Sequence, residues 1–89
     1  MKWQACSQGL TYDADDGFVV YFDVESGRTH LLSEVAAWLL AELAVNPLST
    51  EQLQERVVDR VESVSEPEVE KLVEALLLEL QSFDLVESA

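Results

Sequence analysis

The chain has 89 residues, of which 48% are hydrophobic; that is enough for one domain with a modest core and too few for two. Its 18 acidic and 5 basic residues give a formal net charge of −13, and the scattered cations disfavour a nucleic-acid partner. The chain has neither the apolar core of a signal peptide nor an apolar run long enough to cross a bilayer, which predicts a cytoplasmic protein without a membrane partner. Cys6 is the only cysteine, so an intrachain disulfide and a cysteine-based zinc site are excluded.

The first third of the chain has the pattern of a small antiparallel sheet. Residues 3–12 predict one or two short strands broken at a glycine, and residues 13–17 predict a turn rich in Asp. Phe18–Phe22 contains only β-branched and aromatic residues and predicts the central strand. After a second turn at residues 23–27, Arg28–Leu32 is expected to return as its partner and to be the last strand of the sheet. One backbone edge of that strand would then be unpaired and able to accept another chain.

The central strand is apolar on both faces. A period of two places Phe18, Val20 and Phe22 on one face, and Val19 and Tyr21 on the other. Helices are expected to cover one of these faces. The second face needs another cover, such as the N-terminal segment or another subunit.

Three helices are expected after the sheet. Ser33 is a good N-cap for a helix that runs to about Val45, Ser49–Gln52 matches a capping box, and Ser65–Glu68 starts a third helix with Pro in its first turn. Apolar residues recur at helical spacing in each: Val35, Ala36, Leu39, Leu40 and Leu43 in the first, Leu53, Val57, Val61 and Val64 in the second, and Val69, Leu72, Val73, Leu76, Leu80 and Phe83 in the third.

A few side chains lie off these stripes. In the third helix Leu77 is expected at the margin of the apolar stripe and Leu78 pointing away from it. In the second helix Arg56 and Arg60 are one turn apart, and we expect them to form ion pairs with the acidic residues of their own helix on a solvent face.

No residue pattern indicates catalysis. His30 is the only histidine and is expected to be an ordinary strand side chain, and the glycines form no phosphate-binding loop. The acidic turn at residues 13–17 lacks the ligand spacing of a calcium loop. The sequence therefore predicts a protein that is not an enzyme and has no cofactor or metal site.

The predicted fold class is α+β and winged-helix-like, with a three-stranded antiparallel sheet followed by three helices. Three functions suit this architecture. A peptide can add as a strand to the free edge. The chain can instead be a winged-helix DNA-binding or regulatory domain whose helix enters DNA, or a scaffold subunit that dimerises through the strand edge or through Leu78. Insertion into DNA is disfavoured because the third helix carries Lys71 against several glutamates.

Several short motifs together resemble one known family. They are Phe18–Tyr21, the Ser-Gly-x-Thr-His-x-Leu run of residues 26–32, the helix start at Ser49–Leu53, and the Leu-x-x-x-Leu of residues 76–80. In these features the chain resembles the PqqD-family peptide chaperones, also called RiPP recognition elements. It most resembles the HPr-kinase-related subgroup (HPr-rel-A), which shares the Gly-x-Thr-His-x-Leu pattern.

The resemblance implies a single PqqD-like peptide-binding domain over residues 1–89. Such a domain binds the leader segment of a ribosomally made precursor peptide and presents it to a modifying enzyme. The leader would lie along the third strand and against the third helix, where the implied peptide-binding residues are Arg28, Thr29, His30, Leu31, Leu32, Val69, Leu72, Val73, Leu76 and Leu77. The chain has Leu32-Ser33 and Asn46-Pro47 where many family members have Leu-Asn and Asp-Gly. A precursor peptide outside the pyrroloquinoline quinone pathway is therefore expected.

Overall fold

The computed structural model describes residues 2–6, 9–60 and 66–88, and these form strands followed by helices, as predicted. The elements in chain order are β1 (Lys2–Ala5), β2 (Gly9–Asp13), β3 (Phe18–Asp23), β4 (Thr29–Ser33), α1 (Glu34–Val45), β5 (Leu48–Ser49), α2 (Thr50–Arg60), α3 (Glu66–Ser82) and β6 (Val86–Ser88).

The main sheet has the strand order β2-β3-β4 and is antiparallel throughout, which confirms β3 as its central strand. The turn between β2 and β3 places Asp16 and Gly17 at positive φ, and the turn before β4 does the same with Gly27. Glycine reaches this backbone region without a steric penalty, so both predicted turns form at the expected places.

A second small sheet, with the order β5-β1-β6, was not predicted. Trp3 pairs with Leu48 on one side of β1 and with Ser88 on the other. The C-terminal tail docks through β6, which pairs with β1. Strands of two and three residues are too short to show alternation, and their partners are distant in the chain, so the sequence pattern does not reveal them.

The predicted caps of α1 and α2 are confirmed. The backbone N–H of Ala36 donates to Ser33 Oγ at 3.1 Å. At the start of α2 the N–H of Ser49 donates to Gln52 Oε1 at 2.8 Å, and the N–H of Gln52 donates to Ser49 Oγ at 3.2 Å. This reciprocal pair satisfies two donors that a helix start leaves open. The predicted cap at Ser65, and the predicted core positions Val61 and Val64, lie outside the described residues.

The core lies between the main sheet and the helices. It is formed by one face of the sheet and the apolar stripes of the helices, with Leu85 and Val86 added by the tail. Leu77 is 3% exposed, so the prediction that it lies at a margin is wrong, whereas Leu78 is 65% exposed, as predicted. Among the described residues, no helix is long and apolar enough to cross a membrane.

The two arginines of α2 contact α1, which corrects the prediction that they pair with acids of their own helix. Arg56 Nη1 forms an ion pair with Glu42 Oε2 at 2.7 Å. The guanidinium of Arg60 lies 5.1 Å from the centre of the Trp38 ring, a cation–π distance. Both cations are therefore directed toward α1.

Candidate functional site

β4 is an edge strand whose only strand partner among the described residues is β3. Two hydrogen bonds fix which of its backbone groups face β3. The N–H of Asp23 donates to the carbonyl of Arg28 at 2.8 Å, and the N–H of Glu34 donates to the carbonyl of Gly17 at 3.1 Å. Hydrogen-bonded positions alternate along an antiparallel pair of strands, so the backbone N–H and C=O groups of the even-numbered residues of β4 face β3. The backbone groups of Thr29, Leu31 and Ser33 therefore face the open edge.

This open edge offers an alternating set of donors and acceptors. Thr29 and Leu31 each present an N–H and a C=O, and Ser33 presents its N–H, since the carbonyl of an N-cap residue accepts the first helical bond. An edge of this kind is a template for an additional strand. The stretch from Thr29 to Ser33 spans about 14 Å at the usual strand rise, enough to pair with a short extended segment.

The β4 side chains alternate between the two faces of the sheet. Leu31 is 59% exposed and Thr29 is also exposed, whereas His30 is half-buried and Leu32 is fully buried in the core. Arg28 precedes the strand and is exposed. Of the predicted strand residues, Thr29 and Leu31 therefore present both backbone and side chain to a partner. Leu32 directs its backbone to β3 and its side chain to the core.

The predicted helix residues of the site are mostly core residues. Four of them are buried, with no side chain more than 6% exposed: Val69, Val73, Leu76 and Leu77. Leu72 is half-buried. The structure does not bring these four buried side chains to the open edge of β4. A regular apolar stripe is what core packing requires of a helix, so the stripe alone does not distinguish a groove from a core.

Phe83, which follows α3, is the aromatic neighbour of β4. Its ring stacks on that of His30, with centroids 4.7 Å apart and an interplanar angle of 23°. Phe83 is half-buried, and the Nε2 atom of His30 is buried without a hydrogen-bond partner among the described residues. The periodicity of the sequence places Phe83 only in the apolar stripe of the third helix. No sequence signal indicates the stack, because it joins residues far apart in the chain.

The turn that leads into β4 is organised by Asp23, a buried residue. Its carboxylate accepts hydrogen bonds from the Ser26 hydroxyl at 2.8 Å and from the N–H of Glu25 at 3.1 Å. Its carbonyl accepts from the N–H of Gly27 at 2.8 Å. The hydrogen bond from Ser26 is the main cause that lowers the pKa of Asp23 below its usual value. The side chain thus fixes where β4 begins.

Among the described residues β2 pairs only with β3, so a second open edge lies along β2 on the other side of the sheet. The N–H of Ala14 donates to the carbonyl of Phe18 at 3.0 Å, so the same alternation turns the backbone of Gly9 and Thr11 outward. A cavity of about 440 Å³ runs beside it, lined by Gly9, Thr11, Tyr21, Ala37, Leu40, Ala41 and Ala44. No sequence pattern indicates this groove, because its lining residues come from β2, β3 and α1.

The described residues contain no group of three or more His, Cys, Asp or Glu side chains placed to hold a metal ion. Cys6 is half-buried, and burial is the main cause that raises the pKa of its thiol, with nearby acidic residues adding to the effect. A raised pKa reduces the thiolate fraction at neutral pH and so makes the thiol less reactive.

A scan against protein-family models and a search of curated proteins found no match. A search of solved structures found TbiB1, whose structure was determined in complex with the TbiA(beta) leader peptide. The TM-score is 0.72 at 20% sequence identity, and the superposition covers 97% of this chain and 96% of that chain. The two proteins therefore share a fold over nearly their whole lengths.

Proposed function

We propose that the chain is a non-enzymatic peptide chaperone, a single PqqD-like domain spanning residues 1–89 that acts in the cytoplasm. It binds the leader segment of a ribosomally made precursor peptide by strand addition to β4 and presents that peptide to a modifying enzyme. The observation that carries the proposal is the open edge at Thr29, Leu31 and Ser33. The fold shared with TbiB1, a protein solved with a leader peptide, supports it.

Backbone pairing supplies the affinity in this proposal. Each hydrogen bond to a backbone group that water otherwise solvates contributes about 0.5–1.5 kcal/mol net, so a few such bonds need help from side chains. Leu31 is available on the outer face of the sheet, and the His30–Phe83 stack lies on the core side. Alternate side chains of a bound strand would lie on these two sides. The net charge of −13 favours a leader that is neutral or basic.

Arg28 and Leu72 complete the part of the predicted site that is accessible. Arg28 is exposed next to the start of β4, and Leu72 is half-buried on α3. The buried positions Leu32, Val69, Val73, Leu76 and Leu77 act in this proposal by holding the strand and helix in place rather than by touching the leader.

The test is a titration of a leader peptide encoded beside this gene into isotope-labelled protein, followed by NMR. The amides of Thr29, Leu31 and Ser33 should shift and become protected from hydrogen exchange. Leu31→Pro removes one outward N–H on an edge strand, where proline is tolerated, and should weaken binding by at least about tenfold. Thr11→Pro removes the matching outward N–H on β2 and should leave the affinity within about twofold.

Circular dichroism must show that both proline variants keep the fold. Amide shifts confined to β2 and α1, with loss of binding in Thr11→Pro alone, would show that the peptide binds in the groove beside β2. That outcome would contradict the proposal for β4. Shifts confined to neither edge would contradict strand addition altogether.

A further inference from the structure

We define the outer face of the main sheet as the surface formed by Leu10, Tyr12, Phe18, Val20, Phe22 and Leu31. It is apolar, and no described element lies over it. The register places Leu10 beside Phe22, and Val20 between Tyr12 and Leu31. Leu10 is 53%, Tyr12 57%, Phe18 43% and Leu31 59% exposed. The six side chains therefore form one continuous surface across the three strands rather than scattered exposed residues.

The described N-terminal strand β1, one of the covers expected from the sequence, does not lie over this face. The core lies on the opposite face, where Tyr21 and Leu32 are buried. The N-terminal strand β1 belongs to the other sheet, between β5 and β6. A contiguous apolar face of this kind on a small chain is typical of an interaction surface.

The charges around the outer face are almost all negative. The sequence from Gly9 to Glu34, which contains the whole main sheet, has acidic residues at positions 13, 15, 16, 23, 25 and 34, and its one cation is Arg28. Asp13 and the buried Asp23 lie on the opposite face, with Leu32 and Tyr21, and do not contribute to the rim of the outer face. Asp15 and Asp16 lie in the turn at one end of the face, and Glu25 lies in the turn at the other end. A surface with an apolar centre and basic rim would complement it, whereas a second copy would bring another formal charge of −13.

We infer that the outer face docks a partner protein whose contact surface has an apolar centre and a basic rim. The inference rests on the proposed function only for the partner's identity, which would be the peptide-modifying enzyme. The docking surface itself follows from the exposed apolar side chains and their acidic surroundings. Because Leu31 belongs both to this face and to the open edge of β4, a docked partner would lie next to a bound leader.

Three synthetic peptides that form amphipathic helices test the chemistry. The first carries Leu on one face and Lys on the other, the second replaces Lys by Glu, and the third replaces Leu by Ser. By NMR, the Lys/Leu peptide should shift residues of the outer face, and its binding should weaken as salt is added. The Glu/Leu and Lys/Ser peptides should bind at least about tenfold more weakly, because each lacks one half of the complementary surface.

The variant that tests the location is Leu10→Ser combined with Tyr12→Ser. Both changes lie on β2, about 10 Å or two strand spacings from the open edge of β4. The double variant should lose at least about tenfold in affinity for the Lys/Leu peptide and keep its affinity for the leader peptide. Leu78→Ser, at a leucine equally exposed on α3, is the matched control and should change neither.

Separate outcomes bear on the two proposals. Equal binding of the Lys/Leu and Lys/Ser peptides, or undiminished Lys/Leu binding by the double variant, would overturn the docking surface and leave leader binding untouched. Failure of the leader to bind, with Lys/Leu binding intact, would overturn only the proposed function. Sedimentation that shows a dimer in the wild type and a monomer in the double variant would assign the face to a second copy and overturn the inferred partner.

Discussion

His30 and Phe83 stack ring on ring with their centroids 4.7 Å apart, and this contact joins β4 to the residue that follows α3. Within the part of the chain that the structure describes, β4 has a strand partner on one side only, so side-chain contacts must hold it against the helices. The stack provides such a contact close to the open edge. It also carries a cost, because His30 Nε2 is buried with no hydrogen-bond partner among the described residues.

The first prediction concerns this stack. Phe83→Ala should lower the free energy of unfolding by about 2 kcal/mol, less than for a fully buried Phe because the ring is half-buried. His30→Phe keeps an aromatic pair and removes the unpartnered Nε2, so stability should be unchanged or should rise by about 1 kcal/mol. Urea unfolding measures both. A loss above about 1 kcal/mol in His30→Phe would show that the imidazole makes a polar interaction that matters.

The second prediction concerns pH and the turn before β4. The pKa of Asp23 is lowered in the folded protein, mainly by the Ser26 hydroxyl. A lowered folded-state pKa contributes stability above the unfolded value of about 3.9, and that contribution disappears as pH falls through the folded-state pKa. Ser26→Ala should therefore raise the pKa of Asp23, as followed by NMR of its carboxyl carbon.

The stability difference between wild type and Ser26→Ala should be largest near neutral pH and should shrink as the solution is acidified below about pH 3.9. A small difference should remain, because the N–H of Arg28 also donates to Ser26 Oγ at 3.2 Å. Ser82→Ala removes an exposed hydroxyl that donates to the carbonyl of Glu79, and it is the control. An Asp23 pKa that does not move in Ser26→Ala would contradict the assigned cause.

The third prediction separates two neighbouring leucines of α3. Leu77→Ala should lower the free energy of unfolding by about 2–4 kcal/mol, because its side chain is buried and truncation leaves a cavity. Leu78→Ala should change it by less than about 0.5 kcal/mol, since the side chain is exposed and alanine is the better helix former. Chemical unfolding of the two variants gives the comparison. Equal losses would mean that α3 is rotated relative to the structure.

The fourth prediction concerns Gly9, where packing leaves no space for a side chain, and Gly17, where the backbone has a positive φ. A Cβ added at Gly9 would overlap the ring of Tyr21, which is buried and has little room to move. Gly9→Ala should therefore cost about 2–3 kcal/mol. At Gly17 a Cβ meets nothing, but φ is +78°, so Gly17→Ala should cost only about 1 kcal/mol of backbone strain. Thermal unfolding compares the stability of the two variants. A larger loss in Gly17→Ala than in Gly9→Ala would contradict the packing of Tyr21 on β2.

The sequence by itself determined the elements whose signals are local. The turns at residues 13–17 and 23–27, the central strand Phe18–Phe22, the Ser33 cap and the Ser49–Gln52 capping box each depend on a few adjacent residues, and the structure contains all of them. The order of strands before helices followed from these local signals. Periodicity also identified the buried face of each helix among the described residues, apart from the margin position Leu77.

Only the tertiary structure decided the features that join distant parts of the chain. The β5-β1-β6 sheet, the contacts of Arg56 and Arg60 with α1, and the His30–Phe83 stack depend on residues that no local pattern links. The same holds for the candidate site, where an apolar side chain is equally suited to a core and to a groove. Val73 and Leu76 are buried and therefore belong to the core. The alternation of hydrogen bonds along β4 directs the backbone groups of Thr29 and Leu31 toward the open edge. Sequence patterns record which residues avoid water, whereas packing determines whether the protein itself or a partner covers them.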